Sequence, residues 1–584
     1  MSRLAALSSP ALPSASSRGL AGRLAAGAVA LLLIYLVVVP LILLGVSSVR
    51  PTGFPLEPGF TLTNFGKVFL AENFPRLVQT TVVFAVGSTL LAMIFGTALA
   101  WLVERTDLPG RNVFRLLVIL PMATPPVLLA IGWAMLLSPR TGFFNLLLRD
   151  LFGLQTAPFN VYSLPGMIFV EALALVPTAF LFLAPAFRNM DPSLEEAALA
   201  SGASTWMMIR KVLLPLLWPA LAACAVFLLI VCFVVFDIPG TLGMPARIYV
   251  LSTQIFYLTA DSPTGVPLYG QVSALGTFFL VILVVLGYAY YRFTRESQKY
   301  RTISGKGFRP RLASLGRWRW PASAAVSLYF LLAVFAPLAI LVWASLMPYQ
   351  TRPNMASLSL ITLENHLDFL RNARLVTATT HSLTVAFFAS TIVAVLSLII
   401  SWLVIRQKPA GARLIDNLAF APIAIPGVML GVSVVYVYLT LDFVFPIYGT
   451  IWILVVAYVT HYLSFGSRLA NGVMVQIHPE LEEAARTSGA GQFRVLSRIT
   501  GPLVWPAIAA VWIWVFAHAM RELSTALMLS GRNNTVLPTL LWDYWTGGEP
   551  TRAATVGVWL VAALAVFLGI WHVLSNRALK ERHA

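Results

Sequence analysis

Charged side chains are scarce in this sequence. Asp, Glu, Lys and Arg make up 11% of the 584 residues, whereas 58% are hydrophobic and the mean hydropathy is +0.82. Soluble domains carry roughly 25% charged residues, so this composition excludes a soluble globular protein. The chain has the composition of a membrane protein, in which each helical span needs about 20 consecutive apolar residues.

Cysteine, histidine and nucleotide-binding motifs are also lacking. The two cysteines, Cys224 and Cys232, share one apolar run, which excludes a disulfide framework and favours core packing. The seven histidines form no ligand-spaced cluster, so we expect no fixed metal site and no bound cofactor. The Gly-Lys pairs at Gly66 and Gly305 lack the upstream Gly and the following Ser or Thr of a P-loop. The chain therefore has no ATPase site of its own, and no catalytic constellation indicates another enzyme.

Apolar stretches long enough to cross a bilayer recur along the whole chain. We predict twelve spans, at about 24–46, 78–103, 114–137, 163–186, 213–235, 272–291, 321–346, 382–405, 414–438, 447–471, 503–525 and 553–575. No alternating strand pattern competes, so the fold class is an all-α membrane protein. The first run is too long for a signal-peptide core and is expected to remain as an anchor behind a disordered cytoplasmic tail at 1–22.

The basic residues are unevenly distributed between the loops. Successive loops alternate between two sides, and most of the 40 Lys and Arg lie on the side that holds both termini. Since Lys and Arg mark the cytoplasmic side, we predict that both termini are cytoplasmic. The densest basic run, Arg292 to Arg319, is interpreted as an anchor on anionic lipid, and nucleic acid is not an expected partner.

The sequence contains an internal duplication. Residues 192–220 match residues 479–507 without a gap. The other matched markers are Trp101, Leu102 and Val103 with Trp402, Leu403 and Val404, and Pro121 and Pro125 with Pro422 and Pro426. Each half carries six spans, an even number, so the halves have the same orientation and form parallel repeats. The predicted division is a tail (1–22), a first half (23–295), a basic cytoplasmic connector (296–320) and a second half (321–584).

One motif occurs in both halves, in the long cytoplasmic loop between the fourth and fifth spans. Its residues are Glu196, Ala197, Ala198, Gly202 and Pro215 in the first half and Glu483, Ala484, Ala485, Gly489 and Pro502 in the second. Asp191 and Pro192 predict a capped helix start, and Gly202 suits the left-handed residue that ends the helix. The sequence therefore predicts a helix-Gly-helix elbow in each half, with small Ala faces that a partner can approach closely.

With these two elbows, the sequence resembles the permease subunits of binding-protein-dependent ABC importers, with both permease halves fused in one chain. In that family the elbow docks into a groove on a cytoplasmic ATPase. The resemblance implies a separate ATPase, in two copies for two elbows, which binds ATP and Mg²⁺. It also implies a bacterial inner membrane and a periplasmic solute-binding protein, for which the loops at about 47–77 and 347–381 are the expected docking surface. Gly501 stands where the first half has Leu214, which suggests that the elbows are not equivalent.

The segments that follow the elbows, Phe233 to Tyr257 and Met520 to Trp545, resemble those of iron(III) importer permeases. The same branch includes thiamine and aminoethylphosphonate permeases, and polyamines are a further alternative solute. An ion-gradient-driven secondary transporter is the alternative from another class, although such a transporter does not need the two elbows.

Ionisable groups near the spans are candidates for the translocation path, because burying them is costly. The candidates are Asp237, Glu522, Arg521, Glu171 and His461. Asp237 and Glu522 have nearly equivalent positions in the two halves, and a carboxylate pair suits a hard cation such as iron(III). The alternative is that these carboxylates pair with arginines to fix helix ends. Glu171 and His461 also fit as packing partners.

Overall fold

The fold is helical throughout the part of the chain that can be described. The computed structural model describes residues 15–118, 120–188, 190, 197–198, 200–260, 262, 265–297, 312–478 and 480–581. Over these ranges the β-structure consists of one isolated bridge, between Thr106 and Ala313. The predicted all-α class is confirmed for these residues. The helix that carries the first span begins at Ala15, inside the predicted tail at 1–22, whose residues 1–14 lie outside the described ranges.

Each predicted apolar run corresponds to a helix or a pair of helices. In the described ranges, ten helices are long and apolar enough to cross a membrane alone. They are span 1 (Arg23–Ser48), span 2 (Phe74–Arg105), span 4 (Leu164–Arg188), span 5 (Arg210–Val234), span 6 (Tyr269–Tyr290), span 7 (Gly316–Ser345), span 8 (Ala373–Gln407), span 10 (Ile451–Gln476), span 11 (Ser497–Ala519) and span 12 (Pro550–Trp571). Two bent pairs complete the set: span 3 (Arg111–Met122 and Pro126–Leu137) and span 9 (Ala412–Ile423 and Gly427–Thr440).

Spans 3 and 9 are broken where the hydropathy predicts continuous helices. Their two segments meet at 98° and 114°. The second segments follow Pro125 and Pro426, which adopt nearly the same extended conformation, with φ −56° and ψ 134° and with φ −57° and ψ 140°. Proline lacks an N–H and disfavours helical conformation in the residue before it, so the matched prolines break both spans at the same place.

Shorter helices and π-helical turns lie within or between the spans. The short helices are Thr63–Phe69, Phe143–Phe152, Thr205–Met208, Leu251–Ala260, Glu364–Arg371, Glu480–Thr487, Gln492–Val495, Ser524–Leu529 and Leu537–Thr546. The π-helical turns are Ile34–Val38, Ile209–Leu213, Pro239–Gly243, Leu331–Phe335, Trp402–Gln407 and Leu496–Thr500. Ile209–Leu213 and Leu496–Thr500 occupy matched positions, where each elbow joins its span.

The duplication extends to individual hydrogen bonds. Asn64 Nδ2 donates to the carbonyls of Ser48 and Arg50, at 3.2 and 2.7 Å. Asn365 Nδ2 makes the same pair of bonds, to Ser345 and to the carbonyl two residues further on, at 3.2 and 2.7 Å. In both halves one amide therefore closes the loop that follows the first span, so the halves share local structure as well as sequence.

A second matched bond lies after span 5 and after span 11. The hydroxyl of Thr81 accepts from the backbone N–H of Leu251 at 3.1 Å, and the hydroxyl of Ser382 accepts from the N–H of Leu537 at 2.7 Å. Each donor is an N–H at the start of a helix, which has no partner within that helix. The second span of each half thus caps a short helix that follows its fifth span.

The chain forms two compact units, and each draws on both halves. The first compact unit comprises residues up to Ile42, Phe387–Ile423 and Tyr458–Phe516. Its apolar core includes Ala26, Leu33, Ile400, Leu403, Ile415, Ala419 and Leu463. The second compact unit comprises Leu43–Ala386, Ala424–Ala457 and the residues from Ala517 onward. Its fully buried large side chains include Phe84, Ile131, Phe180, Phe236, Phe279 and Tyr436. The sequence boundaries proposed at the connector stay a prediction.

Most of the predicted basic connector (296–320) lies outside the described ranges. Where the description resumes, the chain is held by the loop after span 2. Ala313 N donates to Arg105 O at 2.8 Å, and Leu315 N donates to Asp107 Oδ1 at 2.9 Å. The end of the connector is therefore fixed to the first half before span 7 begins.

Candidate functional site

Asp237 lies where the helix of span 5 stops. The helix ends at Val234, and Val235 is extended. Asp237 is half-buried between the fully buried Phe236 and Ile238. The hydroxyl of Thr241 donates to the Asp237 carbonyl at 2.7 Å and closes the following turn. The local backbone thus fixes one carboxylate at the end of a span.

Glu522 lies at the corresponding point after span 11. Its Oε1 accepts from both the N–H and the hydroxyl of Thr525, each at 3.0 Å. Ser524 Oγ lies 3.4 Å from Asp237 Oδ2, and Glu522 is close enough to interact electrostatically with Asp237. The two carboxylates that the repeat alignment paired are therefore neighbours in the second compact unit.

The second segment of span 9 begins beside Glu522. A Cβ atom on Gly427 would lie 2.8 Å from Thr525 Oγ1 and 3.1 Å from Glu522 Oε1. A side chain larger than hydrogen would therefore displace one of these groups. Because a helix N-terminus carries a partial positive charge, this close approach also favours a carboxylate at Glu522.

We expect Gly427→Ala to destabilise the protein, because its methyl group would overpack this contact at a cost of about 1–3 kcal/mol. Thermal unfolding of the detergent-purified chain measures the effect. Gly472→Ala is the matched control, because Gly472 lies inside span 10 and its added Cβ would meet nothing within 4 Å. An unchanged melting temperature for Gly427→Ala would show that the cluster tolerates an extra methyl group.

Arg521 bonds to the break in span 3. Its guanidinium donates to the carbonyls of Met122 and Thr124, the latter at 3.4 Å, and to His518 Nε2 at 2.8 Å. In an unbroken helix, the carbonyl of Met122 would accept from the residue four positions on, which is Pro126 and has no N–H. Arg521 thus satisfies a carbonyl that the proline break leaves without a helical partner, which is a structural role for this path candidate.

The remaining two candidates lie in different compact units. Glu171, in span 4, is 2% exposed and within electrostatic reach of Asp237. Among the described residues its Oε2 has no hydrogen-bond partner. His461 belongs to the first compact unit, where it packs edge-on against Tyr462 at 4.8 Å. Four of the five candidates, Asp237, Glu522, Arg521 and Glu171, therefore belong to one unit.

The described residues contain no group of three or more His, Cys, Asp or Glu side chains arranged to hold a metal ion. In this part of the chain, Asp237, Glu522 and Glu171 are a loose cluster of carboxylates.

Both elbows turn at a left-handed glycine, as the sequence predicts. Gly202 has φ 81° and Gly489 has φ 85°. In the second elbow, Glu483 and Ala484 are exposed and Ala485 is half-buried. In the first, Ala197 is exposed and Ala198 is half-buried, whereas Glu196 and the predicted helix start at Asp191 and Pro192 lie outside the described ranges. Pro215 and Pro502 are exposed near the starts of their spans. The coupling role of these residues stays a prediction.

A buried ion-pair network that the sequence did not predict lies near the first elbow. Glu104, at the end of span 2, is 2% exposed and accepts two bonds each from Arg115 (2.9 and 3.0 Å) and Arg188 (3.0 and 3.2 Å). At the position that matches Arg115 the second half has Asp416, which pairs with Arg468 at 3.2 Å. The two halves therefore have different ion pairs at this point. The reversal of charge from Arg115 to Asp416 at matched positions was the feature of the sequence that could have indicated this difference.

Comparisons with known proteins place the repeat in a family. The profile of the binding-protein-dependent transport system inner membrane component matches residues 89–298 and 395–581. The ferric transport system permease protein FbpB of Actinobacillus pleuropneumoniae is 24% identical over 88% of this chain and 75% of its own length. The Fe(3+)-transport system permease protein FbpB 2 of Haemophilus influenzae is 23% identical over 87% of this chain and 92% of its own length. A bacterial ABC transporter for import of the acidic polysaccharide alginate has a chain that is 18% identical, with a TM-score of 0.37, over 45% of this chain and 97% of that one.

Proposed function

We propose that this chain carries iron(III), because it belongs to the family of binding-protein-dependent transport system inner membrane components. It is a permease subunit of an ABC importer, with both halves in one polypeptide. The family profile matches once in each half. The relatives that align with most of the chain include three ferric transport permeases. Family membership also excludes the alternative that the chain is an ion-gradient-driven secondary transporter.

The carboxylate cluster is the observation that carries the choice of iron(III). Asp237 and Glu522 are neighbours where spans 5 and 11 end, and Glu171 is within electrostatic reach of Asp237. Iron(III) is a hard cation and prefers oxygen ligands, so three carboxylates in one unit suit it. A path must also release its cargo, and a loose cluster binds weakly enough to let the cation leave.

The energy for transport is proposed to come from a separate cytoplasmic ATPase. Two copies would dock on the two elbows and hold ATP and Mg²⁺. The exposed Glu483 and Ala484 support this assignment, because they are free to meet a partner surface. Closure of the ATPases on ATP would pull the elbows and tilt the two halves, so that access changes from one side of the membrane to the other.

The proposed setting is the inner membrane of a bacterium. Both termini and the basic connector would lie in the cytoplasm, because most Lys and Arg are on that side. The two halves would then be parallel repeats. A periplasmic binding protein would deliver the solute to the opposite face, where the loops at about 47–77 and 347–381 are available for docking.

Reconstituted transport tests the proposal. The chain is placed in proteoliposomes with its co-purifying ATPase and its binding protein. Uptake of iron(III), thiamine, aminoethylphosphonate and a polyamine is then compared with and without ATP. We expect ATP-dependent uptake of iron(III) alone.

The other outcomes are equally informative. ATP-dependent uptake of thiamine, aminoethylphosphonate or a polyamine would keep the importer and overturn the choice of iron(III). Uptake of iron(III) without ATP would contradict the role of the ATPase. For each solute, the control is uptake into the same vesicles without ATP.

A further inference from the structure

The second elbow is tied to the membrane spans through one buried guanidinium. Arg406, at the end of span 8, has a side chain that is 8% exposed, and its Nε lies 3.1 Å from Glu482 Oε1. Glu482 belongs to the elbow helix Glu480–Thr487, and its side chain is 4% exposed. The same carboxylate oxygen accepts from the hydroxyl of Thr500 at 2.8 Å. All three residues lie in the first compact unit.

The same arginine also holds the end of span 10. Arg406 Nη2 donates to the carbonyls of Met474 and Ile477, at 3.1 and 2.6 Å. These carbonyls lie at a helix C-terminus, where they have no N–H partner within the helix. The planar guanidinium fork can hold several acceptors in fixed directions, which a lysine ammonium cannot. One side chain therefore joins spans 8 and 10 to the elbow helix, and Thr500 adds the start of span 11.

The elbow helix has two faces with different environments. Glu482 is buried against Arg406, whereas its neighbour Glu483 is exposed next to the exposed Ala484. A helix that was loosely attached would expose both carboxylates. Burying an ion pair is costly unless both charges have further partners. Here the carboxylate accepts from Thr500 and Arg406 Nη2 donates to two carbonyls, while the contact of Nε with Glu482 is an ion pair without hydrogen-bond geometry. The buried face thus anchors the helix while the other face stays free.

We propose that Arg406 and Glu482 are positioning residues that transmit movement of the second elbow to spans 8, 10 and 11. The inference rests on the proposed function, in which an ATPase docks on the exposed face of the elbow. A force applied at Glu483 and Ala484 would reach the spans through the buried pair. Without the pair, the elbow helix would move with the ATPase while the spans stay in place.

Among the described residues, the first half shows part of the same arrangement. Arg105 matches Arg406, and its Nη1 lies 3.4 Å from the carbonyl of Met190, which matches Ile477. Leu213 stands at the position of Thr500, so the first half has no hydroxyl there. Glu195, the match of Glu482, lies outside the described ranges. The hydroxyl contact is therefore particular to the second elbow, which agrees with the inequivalence that Gly501 suggests.

The test measures uptake and ATP hydrolysis on the same proteoliposomes, made with the full chain, its ATPase and its binding protein. For Arg406→Gln we expect uptake per ATP hydrolysed to fall about tenfold, within the roughly 5–150-fold range of a coupling free energy. Glu482→Gln should show a similar loss. Combining the two should add little, because both remove one interaction.

Arg468→Gln is the matched control. It removes an arginine of the same unit from a more exposed ion pair with Asp416, in which the arginine side chain is 43% exposed. Exposed pairs contribute little, so uptake per ATP should stay unchanged. Thr500→Val is a milder variant that keeps side-chain shape, and we expect a loss of about two- to threefold from one missing hydrogen bond.

Two outcomes would overturn the inference. If uptake and hydrolysis fall in proportion in the Arg406, Glu482 and Thr500 variants, the pair serves only folding or assembly. If all of these variants keep the uptake per ATP of the wild type, the pair does not transmit movement. Wild-type vesicles without ATP-dependent uptake would instead reject the proposed function, so the two failures can be told apart.

Discussion

Gly489→Val is expected to weaken the coupling between ATP hydrolysis and uptake about tenfold or more while the chain still inserts into the membrane. Gly489 has φ 85°, a left-handed conformation that a β-branched residue adopts at a cost of about 1–3 kcal/mol. An added Cβ would meet nothing within 4 Å, so crowding cannot contribute. The turn of the elbow would therefore change its direction, and the exposed docking face would move with it.

Gly491→Val is the control for this experiment. Gly491 lies two residues further on and also has open space around an added Cβ, but its φ is outside the left-handed region. Uptake should fall about tenfold or more for Gly489→Val, since about 1.4 kcal/mol corresponds to tenfold in rate, and should change little for Gly491→Val. Asn tolerates the left-handed region, so Gly489→Asn should keep most of the uptake.

Gly202→Val extends the experiment to the first elbow, where φ is 81° and the space is equally open. Loss of uptake in both valine variants would show that both elbows are needed. Loss in only one would show that the elbows differ, as Leu214 and Gly501 suggest. Normal uptake in both would remove the elbows from the mechanism.

The elbow geometry could be predicted from sequence because its determinants are local. A glycine at the end of a helix predicts a left-handed residue from its own lack of a side chain, whatever the tertiary structure. The helical class follows in the same way from the length of the apolar runs. These features need no knowledge of which residues meet in space.

The broken spans show where hydropathy fails. The prolines at 121, 125, 422 and 426 were recognised as repeat markers, yet the apolar runs around them were predicted as continuous. Hydropathy measures side-chain transfer and does not register a missing backbone N–H. Two prolines occur at the same points inside two apolar runs. They mark the duplication, and because each lacks a backbone N–H they also predict a break in each span.

The contacts of the arginines could not be predicted, because they join distant parts of the chain. Arg521 bonds to a carbonyl at Met122, far away in sequence, and only the fold brings a proline break to its guanidinium. The charge count placed Arg406 among the cytoplasmic cations that set orientation. Its burial against Glu482 shows that one of these residues is also part of the protein interior.

Asp237→Asn is expected to lower iron(III) uptake about tenfold or more, an effect of about 1.4 kcal/mol on the rate of transport. The amide has nearly the shape of the carboxylate, so the neighbouring Ser524 should keep its position. The variant removes one negative charge from the cluster with Glu522 and Glu171, and a hard cation binds a neutral amide oxygen less well. ATP hydrolysis should persist, because Asp237 is not part of either elbow.

Glu522→Gln is a less direct test, because Glu522 Oε1 also holds the turn at Thr525. Asp150→Asn is the matched control for Asp237→Asn. Asp150 is 63% exposed and pairs with Arg352 at 2.7 Å, and exposed pairs of this kind contribute about 0–1 kcal/mol. Its loss removes the same charge from the protein without touching the cluster, so uptake should remain close to that of the wild type.

The outcome for Asp237→Asn also separates the two interpretations of the carboxylates. If they only fix helix ends, the isosteric amide should lower the melting temperature and leave the uptake of folded protein unchanged. If they contact the cation, uptake of iron(III) should fall in protein whose melting temperature is preserved. Arg521 fixes the break in span 3 by donating to backbone carbonyls, a contact that does not involve the Asp237 carboxylate, and we expect the second result.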